Sequence, residues 1–183
     1  MPRFDADWID SMLQPERRGA ELPHETVARI GLNAGQVVAD VGCGPGFFTL
    51  PAARAVAPSG LVYAIDREPR MLEVIRARAE EAQVTNLVMS QAEDAIPLAD
   101  ASVDLALCAL VIHDLAEPDT LIRELVRITR PNGRIAIVEW LPDPNETRPN
   151  RISPDQLVGW FNRVGRVDSD IAAIGPRQYL AIF

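Results

Sequence analysis

Short β-branched runs along the chain alternate with stretches in which apolar residues recur every three or four positions, the pattern of strands alternating with amphipathic helices. Two short helical patterns, Ala6 to Leu13 and Glu25 to Leu32, come before the first strand, which is predicted over Val37 to Val41. Phe47 to Val56 reads as helix. Leu61 to Ile65 reads as strand, bounded by Pro58-Ser59-Gly60 and by Asp66. A helix is predicted over Glu68 to Gln83, where Met71, Leu72, Ile75 and Ala79 share one face. Leu87 to Ser90 is a short strand. Val103 to Cys108 is almost continuously apolar, as a strand buried on both faces would be.

Pro118 to Thr129 carries the stripe Leu121, Ile122, Leu125 and Ile128, and Pro131-Asn132-Gly133 is the expected helix stop before a strand over Arg134 to Glu139. Ser153-Pro154-Asp155-Gln156 has an N-cap serine, a proline at the first helical position and a glutamine three residues on, so a helix is expected to run from there to Val164. Val167 to Ile174 and Gln178 to Phe183 read as two strands joined at Gly175-Pro176.

Regular alternation of this kind predicts a three-layer α/β/α sandwich: a mostly parallel, Rossmann-like sheet of about seven strands that ends in a C-terminal antiparallel pair. Ligands of such sheets bind beyond the carboxyl ends of the strands, at the point where strand order reverses. The loops after Val41, Ile65, Ser90, Cys108 and Glu139 are therefore expected to line a site, joined by the longer loops Gln91 to Asp100 and Asp143 to Asn150.

Composition narrows the partners. A length of 183 residues fits one domain, 1–183, with 1–32 as an N-terminal helical lid or extension. The strongest apolar run, Leu105 to Ile112, is far shorter than the about 20 residues of a membrane span, and the N-terminus lacks a secretory pattern, so a cytoplasmic protein without a membrane span is expected. A net charge of −8, with small arginine clusters and no lysine, points away from nucleic acid. Cys43 and Cys108 make neither a disulfide framework nor, with His24 and His113, a zinc site, so no metal is expected. Self-association as a homo-oligomer stays open.

The densest chemistry is Asp40-Val41-Gly42-Cys43-Gly44-Pro45-Gly46, where a strand empties through three glycines toward a helix. Glycine allows positive φ and close approach of a ligand to the main chain, and the first turn of a helix offers free N–H groups. A dinucleotide fingerprint spaces its glycines G-x-G-x-x-G around a pyrophosphate. This loop is G-x-G-x-G with Asp40 two residues ahead, a carboxylate that would repel a pyrophosphate but suits the sulfonium and ammonium groups of S-adenosylmethionine. Asp66, at the end of the second strand, is placed to accept hydrogen bonds from ribose hydroxyls of either cofactor, or else to cap the turn before Glu68.

Together with Ala64-Ile65-Asp66, Glu68-Pro69-Arg70-Met71-Leu72, Ile96-Pro97-Leu98, Val103-Asp104-Leu105-Ala106-Leu107 and Thr129-Arg130-Pro131-Asn132-Gly133-Arg134-Ile135, this loop resembles the class I S-adenosylmethionine-dependent methyltransferases over about Asn33 to Trp140. The small-molecule group of ubiquinone/menaquinone-biosynthesis and arsenite methyltransferases is the most similar in flavour. The resemblance implies that Gly42, Cys43, Gly44 and Gly46 meet the methionine part, that Asp66 holds the ribose, and that Arg67 and Met71 flank the adenine. An Asp-Ala pair common in the family for the adenine edge is Gln91-Ala92 in this chain, an amide oxygen replacing a carboxylate, with Glu93 and Asp94 as candidate substitutes. Ala109 and Leu110 fall where the family lines the cofactor's reactive end.

His113 follows closely and is a candidate general base, its ordinary pKa of about 6.5 being near neutrality, or else a cap or packing residue. Asp114 reads as a cap. Trp140 is placed either to wall an acceptor pocket or to pack, Trp8 to pack or join the lid, and Trp160 to sit in the core. The reaction implied is in-line displacement on a methyl group by a small-molecule acceptor, releasing S-adenosylhomocysteine. With two cysteines, an arsenite acceptor, which wants several thiolates, is disfavoured. A non-catalytic S-adenosylmethionine-binding module and a nicotinamide-dependent oxidoreductase are the alternatives.

Overall fold

The computed structural model describes residues 9, 11–14, 22–93, 95–143 and 151–183. Its elements follow in the order α1 (Pro23–Ile30), β1 (Val37–Val41), α2 (Thr49–Val56), β2 (Leu61–Asp66), α3 (Pro69–Glu81), β3 (Leu87–Gln91), β4 (Val103–Ala109), a 3-10 turn (Ile112–Asp114), α4 (Pro118–Ile128), β5 (Thr129–Trp140), α5 (Pro154–Arg163), β6 (Asp170–Ile174) and β7 (Gln178–Ile182). The helix expected over 6–13 lies largely outside the described residues, as do Trp8, Asp94 and most of the 143–150 loop. Within that helix, Ile9, Ser11 and Met12 are helical.

All seven strands join one sheet in the order β3-β2-β1-β4-β5-β7-β6. The β1·β2, β2·β3, β1·β4 and β4·β5 pairs are parallel, and β7 runs antiparallel to both β5 and β6. Strand order therefore reverses between β1 and β4. Alternation along each strand divides the core by face: Val38, Val62, Leu105, Leu107 and Val138 pack with α1 and α2, while Ala39, Ala106, Ile135, Ile137 and Tyr179 pack with α4 and α5. Helix α3 seats Leu72 and Ile75 on Ala64 beside Cys43. Burial on both faces explains why β4 reads as an almost continuous apolar run.

Helix ends depart from expectation for local reasons. Helix α1 starts at Pro23 and stops at Gly31, whose φ of 70° lets its N–H reach Val27 O and Ala28 O, a left-handed C-cap. Residues 44–48 form turns, so α2 begins at Thr49 rather than Phe47, and α3 ends at Glu81 because Gln83 turns to positive φ. The larger correction is β5. It begins at Thr129, paired with Val103, and the register then jumps so that Arg134 faces Leu105. Pro131-Asn132-Gly133 is thus a bulged stretch inside a long strand rather than a turn before a short one. Pro131 biases Arg130 away from helix, and the Thr129 hydroxyl donates to Leu125 O at 2.6 Å, closing α4 one residue early.

The expected 91–100 loop is held to α4 by two side chains, Arg127 and Glu124. Arg127 donates to Ile96 O and Leu98 O (both 2.8 Å) and pairs with Glu124 and Asp100, while Glu124 accepts the Ile96 N–H. These contacts carry the chain from the end of β3 to the start of β4 without a helix.

Candidate functional site

The site grows from the carboxyl ends of β1, β2 and β4. Gly42, Gly44 and Gly46 have φ of 74°, 51° and 85°. The Gly42 and Cys43 N–H groups both donate to Ile65 O (2.8 and 3.0 Å), and the Arg78 guanidinium donates to Pro45 O, so the loop is stitched to β2 and α3. A Cβ on Gly42 would sit 2.3 Å from Val111 Cγ2, and one on Gly46 would sit 2.6 Å from Ile75 Cγ1. Gly46→Ala combines that clash with an unfavourable φ, and should destabilise the fold by about 1–3 kcal/mol. Urea denaturation reads it, and an unchanged midpoint would show that the loop tolerates a side chain there.

Two carboxylates frame the loop. Asp66 accepts the Gly44 N–H on Oδ2 (2.8 Å) and the Glu68 N–H on Oδ1 (2.9 Å), so it ties the glycine loop to the start of α3. Burial raises its pKa, against the opposing pull of those two hydrogen bonds. Asp40 lies deeper, 2% exposed, accepting the Thr49 hydroxyl at 2.5 Å from the first turn of α2. Burial pushes its carboxyl up to about 7; the Thr49 bond opposes this, and the Asp66 charge adds to it. Both are acidic groups beside one loop and, among the described residues, no cationic side chain is hydrogen-bonded to either, an arrangement that favours a positively charged ligand. The Cys43 thiol is buried and its pKa is raised by burial and by these two carboxylates, which makes it a wall rather than a nucleophile.

Around the end of β2, Met71 is buried and Arg67 exposed. Gln91, paired with Asp66 across β2·β3, donates from Nε2 to Arg67 O (3.1 Å), which leaves its amide oxygen as the free acceptor, and Ala92 N–H donates to Asp66 O. Asp66, Arg67, Met71, Gln91 and Ala92 therefore meet at one corner, and the glycine loop closes its inner side.

The third wall follows β4. Ala109 ends the strand, and Leu110 adopts φ 59°, a left-handed conformation rare for a branched side chain, while its N–H donates to Val138 O. That bend turns the chain over Gly42, with Val111 at the close approach, and into the 3-10 turn that carries His113. Strain of this sort accumulates where a site needs a side chain re-aimed.

His113 is not isolated. Its Nδ1 lies 2.8 Å from Glu139 Oε2 and its N–H donates to Glu139 Oε1 at 3.2 Å, while Nε2 is 3.5 Å from Asp114 Oδ1. Burial lowers the His113 pKa, but the Glu139 hydrogen bond, the Glu139 charge and the Asp114 charge outweigh it, Arg151 opposing, and the net direction is up. Asp114 is thus a partner of the ring nitrogen as well as part of the turn. Glu139 is fully buried at the end of β5 and was not singled out from the sequence, although it is the one ionisable residue in the apolar run Ile135 to Glu139. Trp140, half-buried, lies under the Arg151 guanidinium with 4.9 Å to the ring centroid. Trp160 is half-buried against the α4/α5 core rather than enclosed in it.

A cofactor with an adenosine and a cationic sulfonium fits this donor set: a carboxylate at the end of β2, an amide side chain beside it at the end of β3, and buried acidic groups beneath a loop whose first and last glycines have no room for a Cβ. A pyrophosphate does not.

The family model described as "Methyltransferase domain" matches residues 39–137, more than half of the chain. An arsenite methyltransferase of Halobacterium salinarum is 30% identical over 98% of the chain and 46% of its own length. A demethylmenaquinone methyltransferase of a Geobacillus species is 30% identical over 67% of the chain and 53% of its own length. The chain thus spans about half the length of these curated relatives. Among solved structures, an S-adenosylmethionine-dependent methyltransferase of Aquifex aeolicus superposes with a TM-score of 0.84 at 26% identity, covering 98% of both chains.

Proposed function

Because the chain belongs to the class I S-adenosylmethionine-dependent methyltransferases, we propose that it transfers a methyl group to a small-molecule acceptor held between the ends of β4 and β5. The observation that carries this reading is that two sides converge on the glycine loop: Asp66, which accepts the Gly44 N–H, and the segment leading to His113, whose Val111 abuts Gly42. S-adenosylmethionine supplies an electrophilic methyl on a positively charged sulfur.

The chain's own part is to hold and to exclude. Asp66 and Gln91 orient the nucleoside, and Gly42, Cys43, Gly44 and Gly46 let the methionine portion approach the backbone. Asp40 sets a negative field beneath the cation, Ala109 and Leu110 border the reactive end, and Arg67 and Met71 flank the base. Bringing two reactants to near-attack distance can supply most of the rate, so little acid–base machinery is needed. The lid role is borne by the segment around Met12, since a Cβ on Gly44 would lie 3.2 Å from Met12 Cε, whereas α1 packs into the core against α2.

An acceptor that is small and largely uncharged agrees with the quinone-type relatives. An arsenite methyltransferase is also among the relatives, yet neither cysteine of this chain offers a ready thiolate, since both are buried and their thiol pKa values raised by burial. Among the described residues no helix is long and apolar enough to cross a membrane. Self-association remains a matter for sedimentation.

Incubation with methyl-labelled S-adenosylmethionine and a small-molecule extract tests the reading. Label should appear in a low-molecular-weight product with S-adenosylhomocysteine released in equal amount. Cofactor binding without any labelled product would favour the regulatory module, and tighter binding of NADH than of S-adenosylhomocysteine would favour the oxidoreductase. In the same assay His113→Ala should slow turnover by about 10²–10⁴-fold, the usual weight of a general base, with cofactor affinity unchanged. Full activity would return His113 to packing.

A further inference from the structure

Resting on the reading above, we propose that Glu139 is a positioning residue that fixes His113 in its Nδ1–H form, so that Nε2 presents its lone pair to an acceptor whose nucleophile must lose a proton, such as a hydroxyl. The geometry is over-determined. One carboxylate reaches both the ring nitrogen and the backbone N–H of His113, and its Oε2 also takes the Trp140 N–H at 3.3 Å. A carboxylate that accepts from two main-chain N–H groups is used as an acceptor throughout, so Nδ1 must be the donor and the neutral ring has its base at Nε2.

Glu139 is reached by no solvent and the 3-10 turn is short, so the ring has little freedom to turn away. Nε2 lies on the side of the ring away from Glu139, 3.5 Å from the exposed Asp114 carboxylate.

The step balances without any further reagent. Nε2 takes the proton of the acceptor O–H; the oxygen forms its bond to the methyl carbon, and the electron pair of the broken carbon–sulfur bond stays on sulfur, which becomes neutral. The imidazolium left behind is stabilised by Glu139 and loses its proton to water past Asp114. Charged groups that bear on the ring are Glu139 from β5, Asp114 from its own turn and Arg151 from the segment before α5, and the Cys108 thiol and Tyr179 hydroxyl lie within the field of Glu139.

The chain has two histidines, His24 and His113, so ring-nitrogen NMR of the ¹⁵N-labelled full chain resolves both, and His24 serves as the internal control. In the wild type, neutral His113 should be the Nδ1–H tautomer. Glu139→Gln removes the carboxylate hydrogen bond and the charge that raise the His113 pKa most, leaving only the Asp114 charge to raise it, so its titration should move to lower pH and the Nε2–H form should appear, with His24 unmoved. On labelled product formation Glu139→Gln should lose about 10- to 100-fold in turnover at constant cofactor affinity, the range for removing a partner that orients a functional histidine. The rising limb of its pH profile should shift toward acid, and Glu139→Asp should recover part of the rate.

An Nε2–H tautomer in the wild type overturns the proposal, as does a Glu139→Gln profile with neither limb nor tautomer changed. If Glu139→Gln fails to fold, the wild-type tautomer and Glu139→Asp still decide it. Absence of labelled product from the wild type would count against the methyltransferase reading alone, because the tautomer is measured without an acceptor.

Discussion

Asp66→Ala is expected to weaken S-adenosylhomocysteine binding by about 1.5–3 kcal/mol, roughly ten- to hundredfold, since it removes a charge-assisted acceptor for the ribose. The structure adds a reason that the loss should sit at the upper end. Each Asp66 oxygen already accepts one backbone N–H, from Gly44 and from Glu68, and each retains a second lone pair. The same carboxylate thus locks the glycine loop and offers the acceptors, and its removal loosens the loop as it deletes the contact. Asp66→Asn should be nearly as damaging, because its amide N–H₂ must face one of those two N–H donors. Calorimetry reads both, and an unaltered dissociation constant would take Asp66 out of the site.

The second large effect is on stability. A carboxyl ordinarily titrating at 3.8 and pushed up to about 7 in the folded chain binds a proton that the unfolded chain has released. Its contribution is therefore fully present below pH 4 and is lost as pH rises from there through 7. The gap corresponds to about 4 kcal/mol once Asp40 is ionised in both states, to order of magnitude. Asp40→Asn keeps an acceptor for the Thr49 hydroxyl and carries no charge, so the variant should be more stable than wild type by a few kcal/mol at pH 8, the gain shrinking toward pH 4. Urea denaturation at several pH values checks it; a gain independent of pH would mean that burial of the charge is not the cause.

Function should move in the opposite direction. A cation in the cleft favours ionised Asp40, so S-adenosylmethionine should bind more tightly as pH rises through 7. Asp40→Asn should lose that dependence, and lose more affinity for the sulfonium cofactor than for S-adenosylhomocysteine, whose sulfur is neutral. The site holds a buried acid that destabilises the empty fold above neutrality and is rewarded only when a cation arrives.

Much of this is legible in the amino-acid sequence. The β-branched run Val37 to Val41 ending in glycines marks β1 and its loop because few other local structures need that composition, and positive φ at Gly42, Gly44 and Gly46 follows directly from it. Asp66 at a strand end was equally visible. What escaped depends on contacts between distant residues. The Glu139 carboxylate reads as the polar end of an apolar strand until β5 is laid beside β4, which brings it to a histidine 26 positions away. Leu110 gives no sign of a left-handed backbone, since only the packing of Val111 over Gly42 demands it. Thr129 to Gly133 shows helix-stop chemistry correctly, yet whether the chain then turns or bulges is decided by pairing with Val103 and Leu105. Residue type marks the glycine loop and Asp66, whereas the His113–Glu139 pair is assembled by the sheet.

A crystal structure with S-adenosylhomocysteine bound tests the central claim most directly. The account predicts that both ribose hydroxyls lie on Asp66, that the adenine edge reaches Gln91, and that the sulfur points across Gly42 toward the His113 side of the cleft. Ligand bound elsewhere, or bound with its ribose away from Asp66 and its sulfur facing away from His113, would contradict it.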